Sequence, residues 1–249
     1  MPARRPGDVP WSLQARRALG VFRLAIAALE IVAIVANYQY VLGFRSFATA
    51  NFFSYFTVQS AIAAVATLLL AAAFALLRPN DPAWLGILRT VVSAYVLVSG
   101  IVFGLIVAQA STRDYRVDVP WSDTLLHFVV PGLAAIAWTT DSVLGLNPRV
   151  PWSTVGWVVV YPSIWLAYTL VRGADVGWYP YFFLDEAQVD GLVGVALYCA
   201  LVLVIFLVLT AALVAINRRL WRRARARAAL PPGTPRRSPA PAAEPVRQR

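Results

Sequence analysis

The chain has 249 residues, 59% of them hydrophobic and only 14% charged, so it carries more apolar surface than one water-soluble core can hide. Its net charge of +10 would suit a nucleic-acid binder if spread over a folded surface, but all 22 basic residues are arginine and ten of them lie from Arg218 onward. That placement fits topology and anionic lipid headgroups and argues against nucleic acid, while a single cysteine, Cys199, within an apolar run argues against a disulfide framework or metal cluster.

Residues 1–17, with Arg4, Arg5, Arg16 and Arg17, look like the start of a signal peptide. The apolar run behind them continues to about residue 41 without a small-residue cleavage site, which predicts an uncleaved first span. Further apolar blocks follow at about 52–77, 87–109, 122–143, 152–171 and 191–216. Each is close to the roughly twenty residues that cross about 30 Å of hydrocarbon as a helix. The expected fold class is all-α: a polytopic membrane helical bundle of about six transmembrane helices. A cytoplasmic segment, 1–17, precedes the membrane domain, 18–217, and an Arg-, Pro- and Ala-rich tail, 218–249, is expected to be disordered.

Alternate sides of such a bundle differ in arginine. The N-terminus, Arg78, Arg89, Arg149 and the tail together hold 17, against four on the other side, Arg45, Arg113, Arg116 and Arg172, with Arg23 inside the first span. Both termini are therefore expected to be cytoplasmic. Trp178, Tyr179, Tyr181, Phe182 and Phe183 fall at the outer edge, where aromatic residues form interfacial belts. The arginine-only basic set and the Ala, Leu and Val bias suggest a high-GC bacterial genome, hence a cytoplasmic membrane.

In lipid a strongly polar side chain costs several kcal/mol unless it faces the bundle interior, so the few polar residues within spans are candidates for function. Glu30 lies near the middle of the first span; Asn51, Thr57, Gln59 and Ser60 lie in or beside the second; Asp123 and His127 lie in the fourth. The second and fourth spans run in the same direction, and Thr57 and His127 are each about five residues in, roughly 8 Å below the outer surface. At one depth a hydroxyl and an imidazole can form a nucleophile–base pair. Asp123, one turn before His127, either orients the imidazole or, with Ser122, opens the helix. The plainer alternatives are a buried imidazole bonded to a neighbouring helix and a threonine bonded to its own backbone. Pro131 removes a backbone hydrogen bond four residues after His127, which predicts a kink there and a free His127 carbonyl. Glu30 reads either as a proton or ion site or as a carboxyl satisfied inside the bundle.

The segments NFFSYFTVQS (51–60), HFVVPGL (127–133) and YPSIWLAYTLVRGADVGWYPYFFLD (161–185) resemble those of a bacterial group of six-span membrane proteins related to the animal androgen-induced gene family. The resemblance covers about residues 15–217. The animal relatives are threonine hydrolases that cleave fatty acid esters of hydroxy fatty acids, with one intramembrane threonine and one intramembrane histidine. Tyr55, Phe56, Thr57 and Val58 match the context of that threonine, and His127 precedes Pro131 as the family histidine precedes a proline. The Gln59–Ser60 pair belongs to the bacterial pattern, and the YPYFFLD segment has no clear animal counterpart.

Together these readings give an expected lipid ester hydrolase with Thr57 as nucleophile, His127 as base and Asp123 as orienter, requiring no metal or cofactor. Asn51 or Gln59 would donate to the oxyanion, and Asp185 would bind a polar headgroup or hold a loop over the site. Its partners would be membrane lipids and a fatty acyl ester. The alternative is a small transporter or non-catalytic lipid-binding membrane protein in which Glu30, His127 and Asp185 line a polar path. The sequence carries no signal for oligomeric state.

Overall fold

A computed structural model describes residues 10–44, 48–112 and 119–228, and every regular element among them is a helix. In chain order these are α1 (Pro10–Val41), α2 (Thr49–Ser54), α3 (Phe56–Leu77), α4 (Ala83–Thr112), α5 (Trp121–Thr124), α6 (Val130–Val143), α7 (Thr154–Trp157), α8 (Val160–Val176) and α9 (Gly191–Ala228). A π-turn, Leu125–Val129, joins α5 to α6, and a short 3-10 turn, Phe182–Leu184, lies between α8 and α9. Arg4, Arg5, Arg45, Arg113, Arg116 and the tail from 229 lie outside the described residues.

Five stretches are long and apolar enough to cross a membrane: Leu13–Val41, Phe56–Leu77, Ala83–Gln109, Thr154–Val176 and Gly191–Ala226. The fourth expected block is helical throughout Trp121–Val143 but is interrupted by the π-turn, so it is not one regular helix. Val171, Ile164, Leu192, Val193 and Leu197 are all more than 60% exposed, which for side chains this apolar is the signature of a lipid-facing surface.

α4 is central, packed against α3, α6, α9 and the π-turn, while α1 lies along α3 and α6. The main core joins Phe56, Tyr95, Trp138, Trp165 and Phe206, rings contributed by five different helices. α8 is different: no other helix packs extensively along its backbone, although α7, just before it, packs on α4 and α9. Polar side chains fasten α8 to α2 and the start of α3 instead. Trp165 Nε1 donates to the Ser54 carbonyl at 2.9 Å, Arg172 Nη2 donates to Asn51 Oδ1 at 2.7 Å, and the Tyr161 hydroxyl donates to Gln59. Bulky rings fill the space between helices that do not approach closely, and a cavity remains beside them.

Two boundaries differ from expectation. α1 is already helical from Pro10, a residue suited to a first helical position because its missing N–H would be unpaired there. α9 runs to Ala228, past the end of the expected span at 216, because arginine and alanine favour helix and Arg225 stacks over Trp221 at 4.7 Å.

The end of the bundle bearing the α3–α4 turn is held by buried charge. Arg16 and Arg89 each bond Asp81 at 2.6 Å, Arg89 bonds Asp141 at 2.9 Å, and Arg23 also bonds Asp141. These five side chains link α1, α4, α6 and the α3–α4 turn, so Arg23, inside the first span, is paired.

Candidate active site

The opposite end carries the polar pair. The chain breaks at Tyr55, whose backbone is extended at φ −65° and ψ 132°, so α3 begins afresh at Phe56 and Thr57 falls in its first turn. There the Thr57 N–H has no carbonyl one turn back to accept it. It points instead at the Tyr181 hydroxyl oxygen, 3.4 Å away.

His127 reaches the same point from the π-turn. Pro131 has no N–H to give the His127 carbonyl and its ring would crowd that oxygen, and the turn widens so that the Val130 N–H bonds Leu125. The displaced carbonyl lies against Gly100 of α4, so close that a β-carbon on Gly100 would stand 2.2 Å from it. Phe103, one turn further along α4, stacks on the imidazole at 3.8 Å and 13°. Backbone and ring of His127 are thus both fixed by one face of α4.

Hydrogen-bond bookkeeping assigns the tautomer. Nδ1 lies 2.9 Å from the Asp123 backbone carbonyl, which can only accept, so in the neutral ring Nδ1 carries the hydrogen and Nε2 presents its lone pair. Thr57 Oγ1 faces that lone pair at 3.3 Å. Ser99 Oγ at 2.8 Å and the Tyr181 hydroxyl at 3.4 Å complete the surroundings of Oγ1. The Thr57 hydroxyl therefore donates to His127 and accepts from Ser99 and Tyr181. It is poised to lose its proton to the imidazole.

Asp123 positions His127, but chiefly through its backbone. Its carboxylate is 4.0 Å from Nδ1 and accepts from Asn37 Nδ2 at 2.6 Å. The residue capping α5 is Pro120, with no side-chain cap, so Asp123 does not act as the N-cap either. Thr57 and His127 come together, whereas Asn51, Gln59 and Asp185 sit elsewhere. Asn51 is held by Arg172, Gln59 by Tyr161 and the Phe53 carbonyl, and Asp185 accepts from Ala187 N and the Gln188 side chain within its own turn. None of the three lines the cavity above the pair, and neither does Glu30, which is wholly buried in α1 with no partner for either oxygen among the described residues.

That cavity has a volume of about 260 Å³ and lies between α4, α8 and α9. Thr57, Ser99, His127 and Tyr181 form its polar end; Val102, Ile106, Leu166, Leu203 and Phe206 represent its apolar walls. Ser99 and Tyr181 were not singled out from the sequence. Ser99–Gly100 is a small polar pair deep in an apolar helix, a signal that depth counting along α4 would have found. Tyr181 read as part of an interfacial belt, yet it turns inward, stacked on Phe183 at 5.2 Å. Burial pushes its phenol up to about 12, so it remains a neutral donor at physiological pH.

The chain matches no protein-family model, no curated protein and no solved structure. What fold and site define is a class: an all-helical protein with membrane-spanning helices, carrying a buried threonine–histidine pair at the end of an apolar cavity.

Proposed function

We propose that the protein is an intramembrane lipid ester hydrolase with Thr57 as nucleophile and His127 as general base. The observation that carries the reading is the 3.3 Å approach of Thr57 Oγ1 to the lone-pair nitrogen of His127 at the polar end of an otherwise apolar cavity. Such a cavity suits a ligand with a long acyl chain and one polar group. The reading agrees with the threonine and histidine of the androgen-induced gene family, to which the sequence segments bear a resemblance.

In this mechanism Thr57 Oγ attacks the ester carbonyl while its proton passes to His127 Nε2. Collapse of the tetrahedral intermediate breaks the bond to the alcohol oxygen, which leaves with the proton from Nε2. Water then attacks the acyl-threonine with His127 again as base, releasing the fatty acid and restoring the hydroxyl. Asp123 holds the imidazole in the required tautomer through its carbonyl. The acyl chain enters from the bilayer beside α8, where no helix packs closely. The interrupted helix Trp121–Val143 counts as a sixth span in this reading, with both termini on the cytoplasmic side of a bacterial membrane.

The test is incubation of the detergent-purified protein with an alkyl fluorophosphonate and with a panel of medium- and long-chain lipid esters. Labelling and hydrolysis present in wild type and lost in folded Thr57→Ala and His127→Ala variants are expected. Their absence from wild type overturns the reading. A second reading, a transporter or non-catalytic lipid binder, is favoured by the unpartnered Glu30 carboxyl. It predicts proton- or ion-coupled uptake into vesicles that is sensitive to Glu30→Gln and indifferent to Thr57→Ala.

A further inference from the structure

We infer that Tyr181 is a catalytic residue whose hydroxyl, together with the backbone N–H of Thr57, forms the oxyanion pocket of the site. The inference rests on the ester-hydrolase reading and supplies what that chemistry lacks: donors for the negative charge that develops on the carbonyl oxygen.

The first donor comes from the break at Tyr55. It leaves the Thr57 N–H without a helical carbonyl partner at the N-terminus of a 22-residue helix, where aligned peptide dipoles favour negative charge. The second is the phenol of Tyr181, 3.4 Å from both the nitrogen and the hydroxyl oxygen of the same threonine. Both contacts are long against the usual 2.9 Å or so for such bonds, so a carbonyl oxygen drawn between the two donors exchanges weak contacts for short ones. The phenol cannot swing away easily. Phe183 stacks parallel to its ring at 5.2 Å, Tyr55 meets it edge-on at 5.7 Å and Trp165 lies tilted against it at 5.9 Å. The amides expected for this role are engaged elsewhere, Asn51 by Arg172 and Gln59 by Tyr161.

As the bond from Thr57 Oγ to the carbonyl carbon forms, the C=O π electrons move onto oxygen and the threonine proton moves to His127. The hydroxyl oxygen of Thr57 stops accepting from Tyr181 at that moment. The phenol hydrogen is thereby released to the new oxyanion, beside the Thr57 N–H. Tyr181 thus binds more tightly in the transition state than in the ground state, which is the condition for raising kcat.

Tyr181→Phe removes one oxygen and keeps the ring stack. It is expected to lower kcat for the best lipid ester by about 10²–10³-fold, the usual effect of losing one oxyanion donor, with KM changed less than about threefold. Affinity for an alkyl trifluoromethyl ketone, which forms a tetrahedral adduct with the threonine, should fall by a similar factor. Tyr198→Phe removes the same atom from a ring that packs on Phe183 but does not line the cavity, and should leave kcat unchanged. Should Tyr181→Phe fail to fold, difluorotyrosine at the same position keeps the shape and ionises at lower pH. It should add an alkaline loss of kcat absent from wild type. A Tyr181→Phe enzyme within about threefold of wild-type kcat, or a difluorotyrosine enzyme with an unchanged pH profile, overturns the role of Tyr181. In that case activity still lost in Thr57→Ala leaves the hydrolase reading standing, whereas an inactive wild type overturns both.

Discussion

Gly100 and His127 meet at the backbone: the carbonyl oxygen that Pro131 cannot bond occupies the space where any other residue at position 100 would have its β-carbon. Position 100 therefore controls where the imidazole sits. Gly100→Ala puts a methyl group 2.2 Å from that oxygen, and neither backbone can give way cheaply. The substitution should push His127 from Thr57 and lower ester turnover by about a hundredfold, the scale associated with a displacement of about 1 Å. The loss of stability, measured as thermal unfolding in detergent, should be only about 1–3 kcal/mol.

Asp141 lies between the guanidinium groups of Arg23 and Arg89, with all three side chains buried. Removing the shared carboxylate leaves Arg23 without its carboxylate and facing Arg89, which keeps Asp81. Asp141→Ala should cost about 3–5 kcal/mol, the range for breaking a buried pair from one side. Thermal unfolding monitored by size-exclusion chromatography checks this, and a shift no larger than that of an exposed Asp185→Ala control contradicts it.

Among the described residues Glu30 has no partner for either oxygen, and its side chain has no exposed surface. Burying a polar group unpaired costs about 1–3 kcal/mol, so Glu30→Leu, of similar volume, should raise the unfolding midpoint and leave esterase activity near wild type. A lower midpoint would mean that the carboxyl has a ligand in solution, which favours the transport reading.

Gly173 receives the ring of Tyr179, since a β-carbon there would fall 2.0 Å from a ring atom. This contact holds the segment carrying Tyr181 against α8. Gly173→Ala should displace the segment and reduce kcat at least tenfold. Restored activity in the double variant Gly173→Ala with Tyr179→Ala would trace the loss to that ring.

The apolar blocks made the helices and their order legible, because a span in lipid must be long, apolar and hydrogen-bonded within itself. Equal depth likewise selected Thr57 and His127, which the fold brings within hydrogen-bond reach. The break at Tyr55 was not legible: neither glycine nor proline marks it, and it depends on side chains such as Trp165, which bonds the Ser54 carbonyl from 111 positions away. Pro131 announced the disturbance near His127 but not its form, because the widened turn needs the room that Gly100 provides. Asp123 was read through its side chain, whereas its backbone carbonyl makes the contact with His127. Tyr181 was concealed by composition, since an aromatic cluster at a span edge looks the same whether its rings face lipid or turn inward.

The pairing of Arg23 with Asp141 spans 118 positions, and that separation bears on how the protein is made. The first hydrophobic segment leaves the ribosome with Arg23 embedded in it, long before the carboxylate that neutralises it has been translated. An unpaired arginine within such a segment costs about 2.5–3.5 kcal/mol on insertion scales. The early intermediate must therefore keep Arg23 near a headgroup or a water-filled passage and draw it into the bundle only when the helix bearing Asp141 arrives. Assembly of the bundle is in this way tied to completion of more than half the chain, and products terminated before residue 141 carry an exposed cationic span by which quality control can recognise them.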